Sequence, residues 1–335
     1  QHALWIAPQH PGRSGKSHDW GASVARDVGK SWKTQTNQPT AQLYHVAVDN
    51  SFPYHIYGAQ QDSSNVRIAS RTDSGVIGRE DWFQAGGGEC GFVLPDPRDW
   101  HIIYSNNEGY ISRYDKTREQ YQDVSVWPVD NSGHGAVDLK HRFQWVSPIF
   151  LSPHNPDVIY TAAEAVFRST DHGQTWAQIS QDLTRNDKSK QQPSGGPIQL
   201  DITSVEYYDT IFALAESPKQ KGLLWAGSDD GLVHVSTDDG ANWTDVSPKM
   251  PEWSTVDLIE ASPTDASTAY VAVDRHKLDD NKPYIYKTTD TGKTWAPTTS
   301  GIPDGTRGPA MRAAPDHPGL PSPLTSQASL VALDC

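Results

Sequence analysis

Chemistry in this chain has to be carried by carboxylates. No His-Glu-x-x-His spacing offers a catalytic zinc site, no Gly-x-Ser-x-Gly elbow presents a nucleophile, and no glycine loop precedes a helix to cradle phosphate. Acids are plentiful: 41 Asp and Glu against 28 Lys and Arg give a net charge of −13. Two carboxylates facing across a bond can cleave a glycoside, about 5–5.5 Å apart for retention and about 6.5–9.5 Å for inversion. Three acids stand where such a pair would be sought. Glu89 follows Gly86-Gly87-Gly88, a bare backbone that a ligand can approach closely. Glu206 and Asp209 bracket two tyrosines just ahead of the apolar run Ile211-Phe212-Ala213. The plainer reading of each is a surface acid. Asp229-Asp230-Gly231 reads as a hairpin turn, and Arg185–Lys190 as a solvated insertion. His134, Asp138 and His141 lie within eight positions of one another, but a polar loop explains them more simply than a metal site. No metal and no cofactor is expected.

The elements that must position these acids announce themselves by repetition. Ser169-Thr170-Asp171-His172-Gly173-Gln174-Thr175-Trp176 returns at Ser236–Trp243 and Thr288–Trp295, and as a weaker copy at Ala25–Trp32. In the pattern Ser/Thr-x-Asp-x-Gly-x-Thr-Trp, the Asp can accept from backbone amides two or three residues on. The Gly permits positive φ, and the Trp restarts a strand with a large face to pack under the turn. Decayed copies stand at Arg71–Gly75, ending late at Trp82, and at Ser112–Asp115. The aspartates then step through 27, 73, 115, 171, 238 and 290, in intervals of 46, 42, 56, 67 and 52. Ahead of each box runs an apolar strand, a proline-containing turn and a second apolar strand, as in Ile149–Pro153 leading to Val158–Thr161. A unit of this length with four short strands is a propeller blade. The expected fold is an all-β propeller of four-stranded blades, incomplete, with about six blades and the start of a seventh.

Residues 1–304 are expected to form the blades, as one domain and as a fragment of a longer propeller. Residues 305–335 turn rich in Pro, Ser, Ala and Gly and are expected to be an irregular tail foreign to the fold, with Pro321-Ser322-Pro323 in place of a second strand. The acidic charge argues against a nucleic-acid partner. No apolar run approaches the roughly 18 residues of a membrane span. Two cysteines, Cys90 and Cys335, make no disulfide framework. The chain has no initiating Met and no signal-peptide pattern.

The boxes resemble the bacterial-neuraminidase repeat, or Asp box, found in sialidases, sortilin-type receptor ectodomains, tandem-propeller xyloglucanases and a photosystem assembly factor. From Leu4 to about Asp304 the chain is most similar to exported bacterial proteins described as glycosyl hydrolases with such repeats, whose propellers are of the sortilin type. Gly58-Ala59-Gln60-Gln61-Asp62, Gly86-Gly87-Gly88-Glu89, Leu183–Ser189 and Gly227–His234 carry this closer likeness. The resemblance implies that the boxes lie on the outer rim, away from the site. Asp27, Asp171, Asp238 and Asp290 would then form turns, and Trp32, Trp176, Trp243 and Trp295 would pack. It implies an extracellular or periplasmic location.

The same resemblance frames the function. The first reading is a glycosyl hydrolase-like propeller that acts on or binds carbohydrate. The alternatives are a non-catalytic sortilin-like propeller holding a peptide or protein, or an assembly-factor type. Whether the chain is an enzyme stays open between them. A true sialidase is not expected. It needs an arginine cluster, and although Arg67, Arg71 and Arg79 are close, Val66-Arg67-Ile68-Ala69 lacks the Phe and Pro of the sialidase signature and lies between repeats. Glu206-Tyr207 is similar to the sialidase nucleophile pair, yet neighbours on a strand face opposite sides. A pair of convergent acids above an open aromatic groove would favour the hydrolase. Trp100, Trp127, Trp145 and Trp253 are candidates for stacking on sugar rings, and otherwise belong to the blade core.

Overall fold

The computed structural model describes residues 3–18, 21–35, 41–299, 302, 310–313 and 321–324. Its architecture is six four-stranded antiparallel sheets and a two-stranded start of a seventh. Blade 1 is β1 (Ala3–Ile6), β2 (Ser14–His18), β3 (Gly21–Ala25) and β4 (Lys33–Gln35). Blade 2 is β5 (Leu43–Val48), β6 (His55–Gln60), β7 (Asn65–Ala69) and β8 (Trp82–Phe83). Blade 3 is β9 (Val93–Pro95), β10 (Ile102–Asn107), β11 (Tyr110–Asp115) and β12 (Gln120–Asp123). Blade 4 is β13 (Ile149–Leu151), β14 (Ile159–Ala162), β15 (Val166–Ser169) and β16 (Ala177–Gln178). A small hairpin, β17 (Ser194–Gly195) with β18 (Leu200–Asp201), lies in the insertion that follows. Blade 5 is β19 (Ile211–Glu216), β20 (Leu224–Ser228), β21 (Val233–Ser236) and β22 (Thr244–Asp245). Blade 6 is β23 (Thr255–Ala261), β24 (Ala269–Arg275), β25 (Asp280–Thr288) and β26 (Ala296–Pro297).

The start of the seventh blade is β27 (Ala310–Ala313) paired with β28 (Pro321–Leu324). The irregular tail was expected to start at 305, and the prolines of 321–323 to exclude a second strand. A strand forms there nonetheless: β28 pairs with β27 and, among the described residues, on that side only, and proline is tolerated on such an edge strand. Residues 325–335 lie outside the described residues.

The core sits between blades. One cluster joins Trp225 and Val233 of blade 5 to Val256, Ile259 and Val271 of blade 6. Others join Tyr57 to Ile103 across blades 2 and 3, Tyr104 to Ile159 across blades 3 and 4, and Val166 to Ile211 and Ala226 across blades 4 and 5. Second strands are covered on both faces, so β14 and β20 are buried along their whole length.

The eight-residue boxes close the third strand onto the fourth. In each, the Asp carboxylate accepts from the residue four positions on, not two or three. Thr175 donates its N–H to Asp171 at 2.9 Å and its hydroxyl at 2.6 Å, and Asn242 and Thr294 do the same for Asp238 and Asp290. The turn needs two successive left-handed residues: His172 and Gly173 (φ 62° and 85°), Asp239 and Gly240 (63° and 86°), Thr291 and Gly292 (59° and 82°). The closing Trp then reaches the preceding blade. The indole N–H groups of Trp176, Trp243 and Trp295 donate to the carbonyls of Val124, Ile179 and Val246 at 2.8, 2.9 and 2.6 Å. The same three residues touch where a Cβ on Gly173, Gly240 or Gly292 would stand.

Antiparallel blades sort the loops by face. Proline turns and boxes emerge on one face; the second-to-third-strand turns and the blade-to-blade connections emerge on the other. Glu89, Glu206, Asp209, Asp229 and Asp230 all fall on this second face, opposite the boxes.

Candidate functional site

Glu89 opens on a cavity of about 600 Å³ between blades 2 and 3, lined by Asp62, Ser63, Ser64, Gly88, Glu89 and Asn107. Its carboxylate accepts the Asp62 N–H at 2.6 Å, and its own N–H donates to Asn107 Oδ1 at 3.0 Å. Burial and the facing Asp62 carboxyl raise Glu89 above the usual carboxylate range. Asp62 reaches this position from a left-handed residue, φ 58°, at the β6–β7 turn. Two of the three glycines make room for the chain itself rather than for a ligand: a Cβ on Gly88 would stand 2.4 Å from Asn107, and one on Gly86 2.8 Å from Ser105 Oγ, whereas one on Gly87 meets only Ser112 Oγ at 3.7 Å.

Glu206 is exposed and folds back on its own turn, accepting the Thr203 N–H at 2.8 Å and its hydroxyl at 3.2 Å. Asp209 is fully buried, not on a strand but in a left-handed residue (φ 60°) just ahead of β19. One of its oxygens accepts from Gln191 Nε2 at 2.7 Å; the other, Oδ1, has no hydrogen-bond donor. The three candidates share no hydrogen-bond partner.

Asp209 instead meets the Asp229-Asp230 turn. Asp229 is held by the Thr210 N–H and hydroxyl at 2.9 and 2.8 Å, while burial pushes it up to about 8. Asp230 accepts the Arg185 N–H at 2.6 Å, and burial with the neighbouring Asp209 carboxyl lifts it to about 6. Arg185 also donates from Nε to the Asp230 carbonyl at 3.0 Å, so the insertion is anchored there rather than merely solvated. Arg142, buried, completes the anchorage. It donates to the Asp209 carbonyl at 2.9 Å, to Asp182 at 2.9 Å and to Thr184 Oγ1 at 3.1 Å. Sequence reasoning missed Arg142, Asp182 and Gln191, since each acts on a partner 18 to 67 positions away with no local pattern.

His141 pairs with Glu164 at 2.8 Å, apart from His134 and Asp138. Among the described residues no three His, Cys, Asp or Glu side chains converge as a metal would require. Of the four tryptophans, Trp127 packs in the core, Trp145 donates to Tyr44 Oη at 3.1 Å, and Trp100 lies under Arg67 and His101 in a box-face turn. Trp253 alone is half exposed, at 53%, on the loop face. Its ring lies 5.9 Å from that of Tyr208 and 4.1 Å from Lys190 Nζ, beside the buried acids.

No protein-family profile and no curated protein sequence matches the chain. Solved structures do match in fold. A GH74 xyloglucanase from Xanthomonas campestris superposes with a TM-score of 0.51 at 16% identity, over 89% of this chain and 45% of that one. An ancestral GH74 enzyme gives 0.57 at 16% identity, over 84% of this chain and 34% of that one. An extracellular domain from B. thetaiotaomicron, BT4673, gives 0.50 at 10% identity over 91% of this chain and 34% of that one. The chain thus spans less than half the length of each of these structures, and at these identities the likeness establishes a common propeller fold.

Proposed function

We propose that this chain is an Asp-box propeller that holds carbohydrate on its loop face without cleaving it. One observation carries the reading: Glu89, Glu206, Asp209 and Asp230 of that face are already hydrogen-bonded within the chain, while Trp253 beside them is half exposed, with Tyr208 at its side and the Lys190 ammonium over its ring. Cleavage needs an acid that can deliver its proton to a leaving oxygen and a second one across the bond. Glu89 and Asp62 instead face each other, Glu206 caps its own turn, and Asp209 and Asp229 are buried. A half-exposed Trp with a Tyr beside it and a Lys ammonium over its ring offers apolar surface with hydrogen-bond donors close by. The GH74 likeness supports a glucan as the first ligand to try, and the likeness to an extracellular domain supports placement outside the cytoplasm.

Electrophoresis through gels with and without xyloglucan tests this. Retardation of the native chain, lost in Trp253→Ala at an unchanged melting temperature, is the expected result. A chain that runs freely through xyloglucan and other soluble polysaccharides overturns it in favour of a protein partner.

A further inference from the structure

A groove along the outer half of the blades recurs between neighbours, filled in one place and open in another. Where blade 4 meets blade 3, the chain leaving β12 continues as Val124-Ser125-Val126-Trp127-Pro128, and Trp127 packs against the cluster of Phe143, Ala163, Ala165 and Phe167. Where blade 6 meets blade 5, the chain leaving β22 continues as Val246-Ser247-Pro248-Lys249. The box tryptophans set the register, because Trp176 bonds to Val124 as Trp295 bonds to Val246. In that register Phe167 corresponds to Tyr286, and Trp127 to Lys249. The aromatic plug is therefore replaced by a lysine, and a cavity of about 460 Å³ stands beside it, walled by Tyr284, Tyr286, Trp295, Pro283, Pro297 and Lys249.

We propose that this groove between blades 5 and 6 binds a short peptide segment that inserts an aromatic ring followed by proline, with an acidic residue alongside. The filled copy supplies the ring of the occupant, since at the matching position the chain places the Trp127 indole against Phe167, the counterpart of Tyr286. Walls of aromatic and proline rings suit an extended proline-bearing segment, which loses little freedom on docking. Charge supplies the flanking acid. Lys249 is exposed and forms no ion pair among the described residues, in a chain whose net charge is −13. The walls are pre-set: Tyr284 donates its hydroxyl to Asp280 at 2.8 Å, and Tyr286 is paired across the strands with Pro297. The groove is separate from the loop-face shelf, so either site can fail without the other.

The probe is a labelled peptide Ser-Val-Trp-Pro-Val-Asp, the sequence of residues 125–130, titrated against the full chain by fluorescence anisotropy. Saturable binding is expected. It should weaken roughly tenfold or more in Lys249→Glu, a surface change that leaves the melting temperature in place, and vanish for a peptide with Ala in place of Trp. Tyr286→Ala should abolish it. Absence of saturable binding, or equal binding to Lys249→Glu and the native chain, overturns the proposal. Displacement of the peptide by a xyloglucan oligosaccharide would also overturn it, making the groove a sugar platform.

Discussion

At the residue scale the buried acids of the loop face set a pH signature. An unfolded aspartate titrates near about 3.9, whereas Asp230 is lifted to about 6 and Asp229 to about 8, in both cases first by burial. A carboxyl raised on folding contributes stability that is fully present below the unfolded value and is lost as pH rises through the folded one. The box aspartates have the opposite sign. Hydrogen bonds from Thr175 and Ser169 pull Asp171 down to about 2, so its contribution is present above about pH 4 and lost below it. Melting temperature should therefore fall from about pH 4 to 8 in the native chain, and Asp230→Asn should flatten the part of that decline below about pH 6. An amide at that position has no charge to bury and can donate to the Asp209 carboxyl, as the protonated acid does. Parallel pH profiles for the two proteins would contradict this. Little of it was legible in the sequence. Asp229-Asp230-Gly231 does sit in the hairpin turn between β20 and β21, but nothing local announces that Asp209 folds over it.

At the element scale the box is a turn and a joint at once. The turn half was readable, because Asp, Gly and Trp recur at fixed spacing. The joint half was not. The contact of Gly240 with Ile179 and that of Gly292 with Val246 connect residues of different repeats. The left-handed position before the glycine also gave no signal, being Val28, His172, Asp239 and Thr291 in the four boxes. A Cβ on Gly240 would meet Ile179 at 2.8 Å, whereas one on Gly29 meets only Trp32 at 3.7 Å. Gly240→Ala should therefore cost about 1–3 kcal/mol, from strain plus overlap, and Gly29→Ala only the strain of about 1 kcal/mol. Thermal unfolding of both variants measures the difference. Equal losses would mean that the glycine serves the turn alone. The blade count was legible for the same reason as the turn, whereas the pairing of β27 with β28 was hidden by prolines that argue against a strand.

At the scale of the whole molecule, the insertion between blades 4 and 5 is held to the loop face chiefly through Arg142 and Arg185. Removing Arg142 strips donors from a buried carbonyl and from Asp182, at a cost of about 3 kcal/mol or more. Arg142→Ala should open the insertion to limited proteolysis within 185–200 while the blades stay resistant; cleavage spread evenly along the chain would contradict that. With the insertion in place, the loop face presents Trp253, Tyr208 and the Asp62–Glu89 cavity as one surface of the propeller, and the central claim is that this surface retains a polysaccharide intact. The direct measurement is a long incubation of the full chain with xyloglucan, in which bound polymer and new reducing ends are quantified in the same sample. The account predicts bound polymer, lowered by Trp253→Ala, with no reducing ends above the protein-free control. Reducing ends that accumulate with the native chain and disappear in Glu89→Gln would contradict it and make the Asp62–Glu89 pair catalytic.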